Sequence, residues 1–157
     1  MLNQVEELKH TKASEALSLP FAAEASWVTG KWARLRKYVM ECAEPLRGDF
    51  NAGVGRALLS LLSGEDTFQF SRILDELRKH TVSGLSATNT TSLQECHESM
   101  LQFHVLTEIE AISIANSQPE KAKLSTSLEQ RLDVLGPYLS DKQYILGLRR
   151  AAMQLSK

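Results

Sequence analysis

The sequence predicts an all-α fold, an α-solenoid of stacked antiparallel helical hairpins with about seven to eight helices. Three observations predict it. Apolar residues recur at helix spacing in one window after another. Glycine and proline fall between those windows, at helix-length intervals. No window shows the β-branched alternation of a strand.

The most informative window runs from Pro20 to Cys42. Phe21, Ala25 and Val28 predict one helix, and Trp32, Leu35, Val39 and Cys42 predict a second. Gly30 lies between them, where a left-handed residue ends one helix and lets the next fold back. Trp32 is expected to pack into that elbow. A unit of this kind is tetratricopeptide-like, and it must stack on neighbours to cover its apolar face.

The other elements follow in order. Leu2, Val5 and Leu8 predict a helix over residues 1–17, with Ser18-Leu-Pro20 as a stop and restart. Pro45 and Gly48 break the pattern, and Asp49 or Asn51 caps a helix running to Leu62. Its inward residues are Val54, Ala57, Leu58, Leu61 and Leu62, and Gly64 closes it. Asp66 restarts the chain, with Phe70, Ile73, Leu74 and Leu77 as the next stripe.

Residues 83–91, rich in Ser, Gly, Thr and Asn, predict a loop. A long helix from Ser92 to about Ala115 then carries two apolar faces. One holds Leu93, Cys96, Met100 and Phe103; the other holds Leu101, Val105, Ile109 and Ile112. A helix apolar on two sides packs on two neighbours. After a break at residues 116–120, Leu124, Leu128, Leu132 and Leu135 mark a helix closed by Gly136-Pro137. Ser140 is expected to cap a last helix with Ile145, Leu148, Ala152 and Leu155 inward. Residues 1–157 are read as one repeat segment, an internal slice of a larger solenoid, because neither end carries a polar capping helix.

Bulk properties narrow the function. At 43% hydrophobic and 24% charged residues, the composition is that of a folded globular chain. A formal net charge of −1 argues against a nucleic-acid domain. No apolar run reaches the ~20 residues of a membrane span, and Met1–Glu7 lacks the shape of a signal peptide. Cys42 and Cys96 stand alone in helical patterns, as free thiols of a reducing compartment do. The expected setting is intracellular.

Chemistry is sparse. Glu95, His97, Glu98, His104, Glu108 and Glu110 crowd the long helix. His97 and His104 are two turns apart, roughly 10 Å at a rise of about 1.5 Å per residue, which is too far for one metal ion. They are read as polar positions, or as a histidine satisfied by a neighbouring helix. Gly53 and Gly55 lie inside a helical pattern, so they are read as a close approach of two helices rather than a phosphate loop. Lys31, Arg34, Arg36 and Lys37, and likewise Arg149 and Arg150, are read as solvated faces. Asn89-Thr-Thr91 has the form of a glycosylation sequon and Ser117-Gln118 that of a kinase target, both in breaks. No catalytic, cofactor-binding or metal residue is assigned, and no cofactor is expected. The structural anchors are Trp27, Gly30, Trp32, Phe70, Phe103 and Tyr144.

Two segments go beyond generic helix. His104-Val-Leu-Thr-Glu-Ile-Glu110 and Tyr144-Ile-Leu-Gly-Leu-Arg-Arg-Ala-Ala-Met-Gln-Leu-Ser-Lys157 resemble the FAT region of the ATR-type checkpoint kinases. Those kinases belong to the phosphatidylinositol 3-kinase-related kinases. Ala25–Trp32 and Gly55–Ser60 precede these segments in matching order. The resemblance implies a noncatalytic slice of a nuclear Ser/Thr protein kinase acting in DNA-damage signalling and DNA repair. It implies protein partners: the kinase domain of the same chain, a coiled-coil checkpoint partner and a homodimeric parent. Neither nucleic acid nor membrane is expected to bind directly. The chain has no kinase motifs, so no catalytic residue is carried over. A stand-alone tetratricopeptide-like adaptor is the alternative reading, and a small helical metalloenzyme a third.

Overall fold

A computed structural model describes residues 18–41, 48–64, 67–87, 93–115 and 118–155. Among them the fold is all-α, with seven helices and no strand. These are α1 (residues 18–28), α2 (Trp32–Glu41), α3 (Phe50–Ser63), α4 (Thr67–Ala87), α5 (Leu93–Ile114), α6 (Gln118–Val134) and α7 (Leu139–Leu155). The expected helix over residues 1–17 lies outside the described residues, as do Cys42, Pro45, Asp66, Asn89 and Ser117. The chain divides into two compact units, Met1–Arg56 and Ala57–Lys157, and α3 contributes to both.

In the first unit Gly30, at φ 69°, turns α1 into α2. Its amide donates to the Trp27 carbonyl at 3.3 Å, and the Lys31 amide donates to the Ser26 carbonyl at 2.8 Å. This pair of bonds satisfies the last carbonyls of α1. The inward stripe of α1 is Ala23, Ser26 and Trp27, not the expected Phe21, Ala25 and Val28. Phe21 is 73% exposed, and Trp27 is fully buried. Small residues line the true inner face, which leaves room for the indole and misdirects a reading based on apolar bulk. Trp32 is half-buried, while Leu35 and Val39 are buried as expected.

Asp49 caps α3, its Oδ1 accepting from the Ala52 amide at 2.7 Å. Asn51 Nδ2 donates to Glu24 Oε2 at 3.0 Å, tying α3 to α1. A β-carbon on Gly55 would lie 2.9 Å from Leu35 Cδ1, so the glycine permits the close helix approach that was expected there. Burial, and secondly the charge of Asp49, raises the Glu24 carboxyl above its usual value. The folded state thus holds the Glu24 proton more tightly than the unfolded chain. The resulting penalty is absent below the unfolded value and develops as pH rises through the folded one. Glu24→Gln is therefore expected to raise the melting temperature at pH 7 and to leave it unchanged near pH 4. Equal shifts at both values would overturn this assignment.

In the second unit α4 runs to Ala87, through the first half of the expected loop. Thr81 holds this end: its hydroxyl bonds the Leu77 carbonyl at 3.1 Å and lies 3.0 Å from Gln102 Oε1 on α5. Packing against α5 overrides the weak helix propensity of Ser83 and Gly84. Gly84 has open space around its missing β-carbon and no positive φ. Gly84→Ala should therefore stabilise by about 0.5–1 kcal/mol, read as a higher midpoint in urea. Destabilisation would contradict a helix here.

The bonds Thr81–Gln102 and Arg78–Glu110 run in opposite order, so α4 and α5 are antiparallel. Helix α5 packs on α4, α6 and α7. Its bonds to α7, His97–Asp141 and Glu108–Arg149, run in the same order, so those two helices are parallel with α6 as the return. The sequence of hairpin and parallel successor is that of a helical-repeat solenoid.

Several stripe expectations need adjustment. On α5, Val105, Leu106, Ile109 and Ile112 are buried, but Leu93 and Met100 are 89% and 59% exposed. On α3, Leu62 faces out and Leu61 is half-buried. On α6 Leu128 is buried while Leu124 and Leu132 are half-buried, and Leu135 falls in the turn just past the helix. Ser140 lies within the first turn of α7 rather than capping it. Gly64 and Gly136 end their helices with positive φ, as expected.

Candidate functional site

The most highly organised polar site lies where α5, α6 and α7 meet. Glu108 sits on α5 between Val105 and Ile112, on the stripe those residues bury. Arg149 sits on α7 between Ile145 and Ala152, again on a buried stripe. The two side chains form a fork: Arg149 Nε donates to Glu108 Oε2 at 2.7 Å and Nη2 to Oε1 at 2.8 Å. Arg149 Nη2 also donates to the Leu128 carbonyl of α6 at 2.7 Å. One guanidinium thus joins three helices.

Exposure of the side chains is 9% for Arg149 and 1% for Glu108. Water scarcely competes, and each charge has been removed from solvent at considerable cost. A bidentate guanidinium–carboxylate pair offsets that cost through two parallel charge-assisted bonds of fixed direction. What it contributes is register: the fork closes only when α5 and α7 stand at one height and rotation. Arg149 was expected on a solvated face, and the structure places it inside. Arg150, its neighbour, is exposed.

A second link ties the starts of the same two helices. His97 Nε2 and Asp141 Oδ2 are 2.6 Å apart, and the Tyr138 ring packs on the imidazole at a centroid distance of 4.9 Å. His97 is thus the histidine satisfied by a neighbouring helix. Leu93, Gln94, Cys96, His97, Met100 and Tyr138 line an open groove of about 520 Å³ beside this link. Among the described residues no three metal-ligating side chains gather at one point. His104 is half-buried, and Glu95 and Glu98 are exposed.

Of the expected anchors, Trp27 and Phe70 are buried, while Trp32, Phe103 and Tyr144 are half-buried. Gly30 is the hairpin turn. Trp27, Gly30 and Trp32 belong to the α1–α2 hairpin of the first unit. Phe70, Phe103 and Tyr144 stand on α4, α5 and α7 of the second. None of them takes part in the Glu108–Arg149 site. Its signal was a charge of each sign occupying an apolar stripe position on two helices.

No described helix is long and apolar enough to cross a membrane. Neither curated proteins nor solved structures give a match to the chain. The sequence model of the FAT domain matches residues 19–157. That match covers α1 to α7, and with the helical hairpins described above it makes the chain a member of the FAT domain family, the noncatalytic helical segment of the phosphatidylinositol 3-kinase-related kinases.

Proposed function

We propose that this chain is a scaffold and regulatory segment of an ATR-type Ser/Thr protein kinase in DNA-damage checkpoint signalling and DNA repair. Its solenoid would support and regulate the C-terminal kinase domain of the same polypeptide. The observation that carries the reading joins sequence to structure. The two segments with the ATR-type resemblance, residues 104–110 and 144–157, are the ones that Glu108 and Arg149 bind together.

The mechanism is mechanical. Packed helices shift between discrete arrangements rather than deforming continuously. A fork buried between α5 and α7 makes them move as one piece, so force on one hairpin reaches the next. Partners in this reading are proteins: the kinase domain, a coiled-coil checkpoint partner and a second copy of the parent. The place of action is the nucleus.

An antibody raised against this chain tests the reading in extract of the source cells. The expected band is many times 17.5 kDa, the mass of this chain. The immunoprecipitate should phosphorylate Ser-Gln peptides, and the antibody should stain nuclei. A large band whose kinase ignores Ser-Gln peptides would move the chain to another branch of the same kinases. A band at the mass of the chain would favour a stand-alone adaptor.

A further inference from the structure

Lys31, Arg34, Arg36 and Lys37 fall within seven consecutive positions at α2, and all four are exposed. No acidic residue lies between Glu24 and Glu41. Among the described residues no carboxylate pairs with Lys31, Arg34 or Arg36, whereas Arg72 and Arg149 have one each and Arg78 has two. Leu35 and Val39 turn one face of the helix inward. At 3.6 residues per turn, Lys37 and Met40 then point outward, with Arg34 and Arg36 on either flank. Met40 is 74% exposed.

We propose that this outer face of α2 docks an acidic protein segment, a stretch rich in aspartate and glutamate. The guanidinium groups of Arg34 and Arg36 present planar forks matched to carboxylates, and exposed Met40 adds an apolar contact about one turn further along the helix. Nucleic acid fits less well. Proteins that hold it through phosphates commonly use about 6–10 contacts, and one short helix supplies fewer. Single strands also need exposed aromatic platforms, and Trp32 and Tyr38 are half-buried. A membrane surface needs a free apolar face, and that of α2 is spent on Leu35 and Val39.

The test uses the full 157-residue chain and a fluorescein-labelled peptide of twelve glutamates, followed by anisotropy at low salt. Binding is expected, weakening as salt is raised. Arg34→Glu with Arg36→Glu should weaken it by about tenfold or more. Reversing Lys121 and Lys123, exposed on α6, should change it by less than about twofold. Arg34→Gln with Arg36→Gln gives a milder version should the reversed pair lower the helical melting temperature. Absence of peptide binding, or equal losses from the α2 and α6 pairs, would overturn the proposal. Tighter binding of a thymidine 20-mer than of the peptide would also overturn it and make α2 a nucleic-acid surface.

Discussion

Glu108→Ala should unfold the second unit at a far lower temperature than the parent. The substitution leaves the Arg149 guanidinium buried among α5, α6 and α7 with only the Leu128 carbonyl as acceptor. Removing one partner of a buried ion pair costs about 3–5 kcal/mol, because the other charge stays desolvated and uncompensated. For a unit of about 100 residues each kcal/mol is worth about 4–8 °C, so the loss is on the order of 15–30 °C. Total stabilities run to about 5–15 kcal/mol, which places this variant near the edge of folding. Circular dichroism melting gives the reading, and a melting temperature within about 3 °C of the parent would refute burial of the pair.

The same physics separates stability from register. Glu108→Leu with Arg149→Met replaces both charges by apolar groups of similar bulk. Such exchanges are commonly neutral, or stabilising by about 1–4 kcal/mol. The double variant should thus melt near the parent although each single change is severe. Arg149→Lys should fall between, since an ammonium cannot span both carboxylate oxygens and the carbonyl in one plane. Near-additive losses in the double variant would mean that the side chains act independently, against the geometry of the fork.

Much of the fold was legible because helix ends leave local marks. Gly30, Gly64 and Gly136 each close a helix with positive φ, and Asp49 caps the start of α3. These effects depend on a few neighbouring residues, and sequence displays them directly. The end of α4 was less legible. Ser83 and Gly84 favour a loop by propensity, and the tie of Thr81 to Gln102 on α5, distant in sequence, steadies the turn that leads into them. The phase of α1 was hidden for a related reason. Its inner face is built from alanine, serine and one tryptophan, so Phe21 dominates an apolar count while facing solvent. The Glu108–Arg149 site was invisible as chemistry because charged residues default to the surface. Its trace was positional: Glu108 falls one turn from Val105 and Ile112, and Arg149 one turn from Ile145 and Ala152. Opposite charges on two such stripes are the pattern of a buried pair, provided that the two helices are known to be neighbours. That last condition is tertiary.

Trp27→Ala is the second large effect, and its size follows from where the aromatic lies. Trp27 is fully buried on α1, one turn from Ala23 and beside Ser26, neither of which can expand to fill the space left. Deleting a buried large aromatic costs about 3–5 kcal/mol, from lost transfer energy and from the cavity that remains. In the small first unit that is a large share of the total. Trp32, at the start of α2, invites the same substitution by sequence, yet it is only half-buried. A partly exposed ring forfeits less on removal, because water already reaches one side and no closed cavity forms. Trp32→Ala should therefore cost about half as much as Trp27→Ala or less. Urea unfolding of both variants, followed by helical circular dichroism, decides the order. Equal losses would put the two indoles in one closed core, and a larger loss at Trp32 would make the elbow, rather than α1, the centre of that unit.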